Sequence, residues 1–401
     1  MLGGTGLRSA FGVYIKPMEA EFGWSRVALS GAAAVSLLIY GAVGPLAGRV
    51  ADSWGPRRVI TLSLVLLGIG TVGSAFVHRL WQLYLTVGLL TAVGAGATQP
   101  AAAAVVARWF EARRGLALGI VGGAMSGSQL IVIPLAMALT LNLGWRESLV
   151  GLGVGMLILV LPIGAALIRN DPEERGLRPY GATGRVSSAR DAAALQRARV
   201  SVTDAARVPQ FWLLMATYFV CGYTSIGMIL THFIPHALEH GFTAIEASTA
   251  LGVMGGMNLV GSIASGWICD RVGRRGPLAT YYFVRGLSLV FLLYVWNVPT
   301  LHLWAAIFGL NFISTIPPTT TLTANIFGRY SVGELMGWIS FSHQVGAALG
   351  AALAGWVFEW TASYSGAFVS AAVLAFVASA LVFAIREEPI VSRPTPAPAP
   401  A

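Results

Sequence analysis

The sequence predicts an all-α membrane protein with twelve transmembrane helices in two six-helix repeats. Three observations predict it. Hydrophobic residues fill 56% of 401 positions and charged ones only 11%, where soluble domains average roughly 45–50% and about 25%. Mean hydropathy is +0.71, and the apolar residues gather into runs of the length, about 20 residues, that crosses a bilayer. Finally, the charged phrase "GRVADSWGPRR" at 48–58 returns as "GWICDRVGRR" at 266–275, 218 positions on and again at the end of an apolar run.

Taken in order, the apolar runs place spans near 1–18, 27–48, 58–77, 80–107, 115–140 and 146–168. After a break they resume near 209–236, 245–268, 277–296, 300–327, 333–358 and 363–385. The expected organisation is a first six-helix bundle over 1–168, a cytoplasmic linker over 169–208 and a second bundle over 209–388. The linker is polar, Arg-rich and opens with Asp171-Pro172. The Pro/Ala-rich tail 389–401, ending "RPTPAPAPA", is expected to be disordered. The first span is short for a crossing helix, so the true start of the chain is expected upstream of Met1.

The net charge of +9 is topological rather than a nucleic-acid signature. Arg49, Arg57 and Arg58 fill one hydrophilic gap, Arg108, Arg113 and Arg114 the next but one, and eight arginines lie between 169 and 207. Arg271, Arg274, Arg275, Arg329, Arg386 and Arg393 continue the alternation, while the intervening gaps hold only Lys16, Arg26, Arg79 and Arg146. Basic loops stay cytoplasmic, which puts both termini and the linker in the cytosol and the protein in the cytoplasmic membrane. Cys221 and Cys269 both fall within or at the end of apolar spans and suit neither a disulfide nor a metal cluster. No cleavable signal peptide is evident.

The shift of 218 aligns more than the opening phrase. Pro17 falls on Pro235, Glu21 on Glu239, Gly23-Trp24-Ser25 on Gly241-Phe242-Thr243, Gly48 on Gly266, Asp52 on Asp270 and Gly55 on Gly273. The halves are parallel repeats, a plan that holds its ligand near the midplane between them. In the repeated phrase, glycines let helix ends approach closely, and an Asp at a helix end can face the positive N-terminus of a neighbouring helix. Asp52, Arg57, Arg58, Asp270, Arg271 and Arg275 are therefore expected to form a cytoplasmic gate. The rival reading, simple positive-inside anchoring, explains the arginines but not Gly and Asp repeated in register.

The pattern G-x-x-x-D-x-x-G-x-R/K after the second span, echoed after the eighth, resembles the loop motif of the major facilitator superfamily, and the resemblance covers essentially the whole chain. Ser53 stands where that motif usually has Arg or Lys. A second stretch, "RWFEARRGLALGIVGGAMSGS" at 108–128, resembles the fifth-helix motif of monocarboxylate transporters and bacterial oxalate/formate-type antiporters. Gly115, Gly119, Gly123 and Gly127 recur every fourth position there, giving a flat face for close helix packing. "DPEERGLRPYG" (171–181) and "SHQVGAALGAALAGWVFEWTASY" (342–364) also look like bacterial members of this group.

Polar groups inside a span are expensive and mark candidate function. Arg8, about 15 Å from the external end by helical rise, matches the basic residue that this family carries on its cavity-lining first helix. It is the expected anion anchor, with snorkelling as the rival. His343, ten residues into the eleventh span, titrates near neutrality and is the candidate for proton coupling as well as anion binding. A packing histidine is the alternative. The resemblance implies an arginine four residues before Gly266, but Ser262 stands there, and Asn258 replaces the neighbouring acidic position of animal monocarboxylate transporters. Gln129, Asn258 and Asn311, with Tyr223 and Thr224, are the other candidate lining groups. Arg285 is expected to snorkel toward the cytosol. Pro317 and Pro318 should kink the tenth span, its hydroxyls satisfying the kink.

Catalysis is not expected: no phosphate loop, paired intramembrane carboxylates or metal-spaced ligand set occurs, and no cofactor is implied. His232, His236 and His240 recur at spacing four, which allows two metal ligands but offers no third of another kind. The expected function is secondary active transport of a small organic anion, a monocarboxylate by resemblance, with a proton or counter-anion as coupled partner and a monomer in the lipid bilayer. Efflux of neutral or amphipathic compounds is the rival transport reading, and a non-transporting membrane sensor the rival of another class.

Overall fold

A computed structural model describes residues 7, 10–182 and 199–390. Arg8, the centre of the linker and most of the tail lie outside the described residues, as does the side chain of Gln129. Among the described residues, twelve main helices follow one another: α1 (Phe11–Phe22), α2 (Arg26–Trp54), α3 (Pro56–Ser74), α4 (Leu80–Trp109), α5 (Arg114–Leu143), α6 (Trp145–Leu167), α7 (Pro209–Glu239), α8 (Ala244–Val272), α9 (Arg275–Leu292), α10 (Val298–Phe327), α11 (Val332–Thr361) and α12 (Ser365–Phe383). Among the described residues, nine are long and apolar enough to cross a membrane. The remaining three are α1, with 12 residues, α9, which carries Arg275 and Arg285, and α11, whose middle holds Ser342, His343 and Gln344. The first helix runs four residues past the expected end, through Pro17, and stops at Gly23 with φ 65°.

The repeat is visible in the bounds themselves. The pairs α2/α8, α4/α10 and α5/α11 each begin and end 218 positions apart. So do their signals. The Ser25 hydroxyl accepts from Ala28 N–H to cap α2, and Thr243 accepts from Glu246 N–H to cap α8, each satisfying an otherwise orphaned donor. Gly55 (φ 95°) and Gly273 (φ 98°) then end those helices in a backbone region closed to most side chains.

The outer surface is apolar, with Leu141, Leu167 and Ile245 strongly exposed, and exposed tryptophans sit at both ends of the helices: Trp54 and Trp212 at one, Trp296 and Trp360 at the other. That is the aromatic belt of an integral, multi-pass membrane protein.

Two seams join the repeats, α2 against α11 and α5 against α8. Both are built on glycine at the end where the linker joins them. A Cβ on Gly48 or Gly266 would run into the carbonyl of Gly333 or Gly115, and one on Gly119 would stand 2.5 Å from the Ser262 carbonyl oxygen. Further along α5 and α8 the fit is lost: Gly127, Gly252, Gly255 and Gly256 face open space. The helices meet at the linker end and part toward the distal end.

Candidate functional site

At the linker end, the carboxylate of Asp52, the last acid of α2, accepts from the backbone N–H groups of Gly333 (3.0 Å) and Glu334 (2.7 Å) in the first turn of α11. Asp270, its repeat partner on α8, accepts from Gly115 (2.8 Å) and Leu116 (2.7 Å) in the first turn of α5. Each acid therefore crosses from one repeat to the other and satisfies the positive end of a 30-residue helix.

Other cross-links support this closure. Arg114 reaches Asn325 Oδ1 at 3.0 Å. Arg329, in the α10–α11 loop, pairs with Glu173 of the linker at 2.8 Å. Fully buried Arg108 donates to the Ala51 and Asp52 carbonyls, pairs with Asp171 at 3.3 Å and lies 4.8 Å from the Tyr330 ring centre. Burial pushes the Asp171 carboxyl above the usual carboxylate range, against the opposing pull of Arg108. The linker returns to the first repeat through Tyr180, whose N–H donates to the Trp109 carbonyl and whose carbonyl accepts from Glu111 and Ala112.

The other gate candidates sit apart from these crossings. Arg57 donates to the Ala165 carbonyl within the first repeat and takes Asn170 Oδ1, at the start of the linker, on its backbone N–H. Arg275 donates to the Phe383 carbonyl within the second. Arg271 lies over the Trp267 ring at 4.0 Å, and Arg58 is exposed.

Mid-span, α10 breaks between Phe312 and Ile316, just ahead of Pro317-Pro318. Arg285 of α9 fills that break instead of snorkelling to the membrane edge. Its guanidinium is wholly buried and donates to the Asn311 (2.6 Å) and Phe312 (2.9 Å) carbonyls, to Asn311 Oδ1 and to the Cys221 sulfur (3.0 Å). The two carbonyls freed at Asn311 and Phe312 explain the difference, because a buried backbone acceptor needs a donor and arginine carries five. Ser265 caps the Ser314 carbonyl at 2.6 Å, and Asn258 Oδ1 accepts from Ile313 N–H at 3.0 Å. The hydroxyls expected to serve the kink do so only in part: those of Thr319, Thr320 and Thr321 are buried without a protein partner.

Asn258 also donates to Ser126 of α5 at 2.7 Å, and Ser262 donates to the Gly119 carbonyl at 3.0 Å. Both thus bind the α5–α8 seam. Asn311 serves Arg285, and the Tyr223 hydroxyl meets Ser370 at 3.1 Å while that of Thr224 bonds its own helix.

His343 is half-buried on α11, its ring 5.0 Å from that of Tyr218 on α7. Behind it lies Cys221, in contact with Arg285 and bonded to Thr315 at 3.2 Å. Tyr40 of α2 donates to Gln99 of α4 at 3.1 Å, and Gln99 is also a neighbour of the buried Tyr218 hydroxyl. Tyr40, Gln99, Tyr218 and His343 come from four helices, two of each repeat, and meet where the seams begin to part. Sequence reasoning singled out only His343 of these. Tyr40 and Gln99 carry the same signal of polarity inside an apolar run, Gln99 directly before Pro100.

Near the distal end, His232 bonds the Ala351 carbonyl at 2.9 Å, and the His236 and His240 rings stand 4.1 Å apart. Among the described residues, no three His, Cys, Asp or Glu side chains gather as a metal site.

Two repeated helical bundles, closed on each other at one end and parting around a polar mid-membrane cluster, have the architecture of a membrane transporter. The chain belongs to the Major Facilitator Superfamily, whose family model matches residues 3–316. It is 24% identical over 355 residues to the uncharacterized MFS-type transporter YcxA of Bacillus subtilis, covering 87% of this chain and 83% of that one. It is 27% identical to monocarboxylate transporter 11 of Mus musculus, over 86% of this chain and 75% of the relative. Solved structures share the fold: the proton:xylose symporter XylE (TM-score 0.74, 14% identity, 97% and 95% of the two chains) and FucP in the outward conformation (0.72, 15%, 96% and 96%). The human organic anion transporter MFSD10 is also similar (0.70, 17%, 93% and 89%). Family and neighbours alike are transporters, not enzymes.

Proposed function

We propose that the chain is a secondary active transporter for a small organic anion, a monocarboxylate first among them, working by alternating access with proton symport or anion exchange. One observation carries the reading. Arg285 is buried mid-membrane with, among the described residues, no ion pair to a carboxylate, and only Cys221 separates it from half-buried His343 at the cluster between the repeats. A buried positive charge left without an acid favours an anion nearby, and low-dielectric walls strengthen that field. The monocarboxylate transporters among its relatives point the same way.

In this reading the linker end and both termini face the cytosol, in the cytoplasmic membrane. Bundles 1–168 and 209–388 rock about the cluster, and Asp52 and Asp270 hold the cytosolic gate shut. His343 contacts the cargo and carries the coupled proton, while Arg8, Gln129, Asn258 and Asn311 remain proposed contributors to binding. Arg57, Arg58, Arg271 and Arg275 hold the gate's surroundings. The test is uptake of labelled lactate, pyruvate, formate or oxalate into proteoliposomes, with and without a pH gradient. His343→Ala should lower uptake about tenfold or more, the worth of one charge-assisted hydrogen bond. Uptake unchanged in both Arg8→Ala and His343→Ala would overturn the assigned roles.

A second reading, efflux of neutral or amphipathic compounds, draws on Asn258 and Ser262. These occupy the positions of the family's charged pair and are engaged in the α5–α8 seam. Drug sensitivity of a deletion strain, with no uptake of any carboxylate, would favour it.

A further inference from the structure

Arg285 and His343 stand mid-membrane, yet no carboxylate comes to meet them. The described Asp and Glu residues all fall in loops or in the first or last turn of a helix. The acid that does meet them is the buried thiol of Cys221 on α7. Arg285 donates to its sulfur at 3.0 Å from α9, and the Thr315 hydroxyl lies 3.2 Å away in the break of α10. His343 approaches the sulfur from α11, where the two backbones touch. A Cβ on Gly222, the next residue of α7, would run into the His343 carbonyl. Tyr218, one turn earlier on α7, and Tyr282 of α9 are the other titratable neighbours, and phenols are weaker acids than thiols. The fourth helix packed on α7, α12, carries no titratable side chain.

A buried cation without a counter-charge is costly, and a thiol beside arginine or histidine ionises far more readily than a free one. We propose that Cys221 is a positioning residue for His343: thiol and imidazole share one proton, and Arg285 holds the sulfur when that proton is on His343. The step is a single transfer. The S–H bond breaks, an N–H bond forms on the imidazole, and the electron pair stays on sulfur beside the Arg285 guanidinium and the Thr315 hydroxyl. The three side chains together carry one net positive charge before and after. What changes is its place. Before the transfer the unbalanced charge belongs to wholly buried Arg285, and afterwards to half-buried His343 at the cluster between the repeats. One such charge suits a cargo with a single carboxylate, so the inference rests on the anion-transport reading and narrows its substrate class.

Two measurements locate the proton without any cargo. Cys269→Ser, at the linker end of α8, leaves Cys221 as the one cysteine of the purified full-length chain. Its thiolate, read by ultraviolet absorbance, should persist at about pH 7, well below the ordinary thiol value near 8.5. Imidazole nitrogen NMR, assigned with His343→Gln, should show His343 charged at that pH in the native chain and neutral in Cys221→Ser. An un-ionised thiol beside a neutral His343 overturns the proposal. Uptake, with equal pH on both sides, gives the third readout. At about pH 7.5 Cys221→Ser should take up roughly a tenth as much labelled monocarboxylate as the native chain, the share of an ordinary histidine still charged one unit above its value near 6.5. Most of the loss should be recovered at about pH 5.5, where an ordinary histidine is charged. A purely structural role for Cys221 would lower uptake equally at both, and that result also overturns the proposal. Thiolate and imidazolium both present in a native chain that takes up no carboxylate would sink the transport reading and uphold the shared proton.

Discussion

The two latches use one local design in two different surroundings. Asp52 on α11 and Asp270 on α5 each grip two consecutive backbone N–H groups, and all four donors and both acids are related by the same shift of 218. Yet Asp52 is fully buried and Asp270 is not. Arg108, Asp171 and Tyr330 cover the first latch, and Arg329 with Glu173 closes over its edge. In the second repeat, Ile326 stands at the position matching Arg108. A repeated phrase therefore sets the hydrogen bonds, while unrepeated residues far along the chain set how much those bonds are worth.

The largest effect should come from breaking the covered latch. Asp52→Asn leaves donors of α11 facing an amide in a site closed to water, a loss of about 1–3 kcal/mol. That corresponds to roughly a 5- to 150-fold shift toward the form open at the linker end. Pulsed spin-label distances across that end measure the ratio directly. Asp270→Asn should shift it less, because water can reach the donors left behind. Equal shifts would mean that the cover contributes nothing.

Next in size is removal of the cover itself. Arg329→Gln breaks a 2.8 Å ion pair whose carboxylate partner, Glu173, is 2% exposed at its side chain. About 1–2 kcal/mol of closure should go with it, and Asp52→Asn should then cost less in that background than in the native chain. The coupling between the two substitutions, read by a double-mutant cycle, is the direct measure of how far the linker reinforces the first latch.

The comparison also explains what the sequence revealed. Helix count, repeat register and the helix-end placement of Asp52 and Asp270 were legible because they depend on local signals: apolar length, a capping Ser or Thr, and a Gly that ends the helix at positive φ. Arg285 was misread for a related reason. Its partners, the carbonyls of Asn311 and Phe312, are freed by a break in α10, and a one-dimensional reading sees the proline but not which neighbour answers it. Tyr40, Gln99 and Tyr218 belong to three different spans, so nothing in their spacing brings them to His343. Arg108 counted as one more positive loop residue, although the fold buries it completely.

Smaller still should be the effect of the arginines that repeat along with the latches. Arg57 and Arg275 bond carbonyls within their own repeats. Arg57→Ala and Arg275→Ala should therefore lower thermal stability by about 1 kcal/mol or less and leave the open-to-shut ratio unchanged. A shift in that ratio for either variant would place its side chain in the gate.

The smallest expected effect concerns pH and the cover of the first latch. Asp171 lies outside the spans, and burial beneath the shut linker end raises its pKa despite Arg108. A carboxyl whose pKa is higher in the shut form binds its proton more tightly there. Ionisation therefore opposes closure above the raised pKa, and protonation relieves that opposition as the pH falls through it toward the ordinary value near 4. Mild acid on the linker side should strengthen closure slightly, with the change confined to the interval between those two values. Asp171→Asn should abolish this pH dependence while weakening the contact with Arg108. Spin-label distances collected from pH 7 down to about 4 on the native and Asp171→Asn chains decide it, and the native pH response persisting in the Asp171→Asn chain would show that Asp171 does not control it.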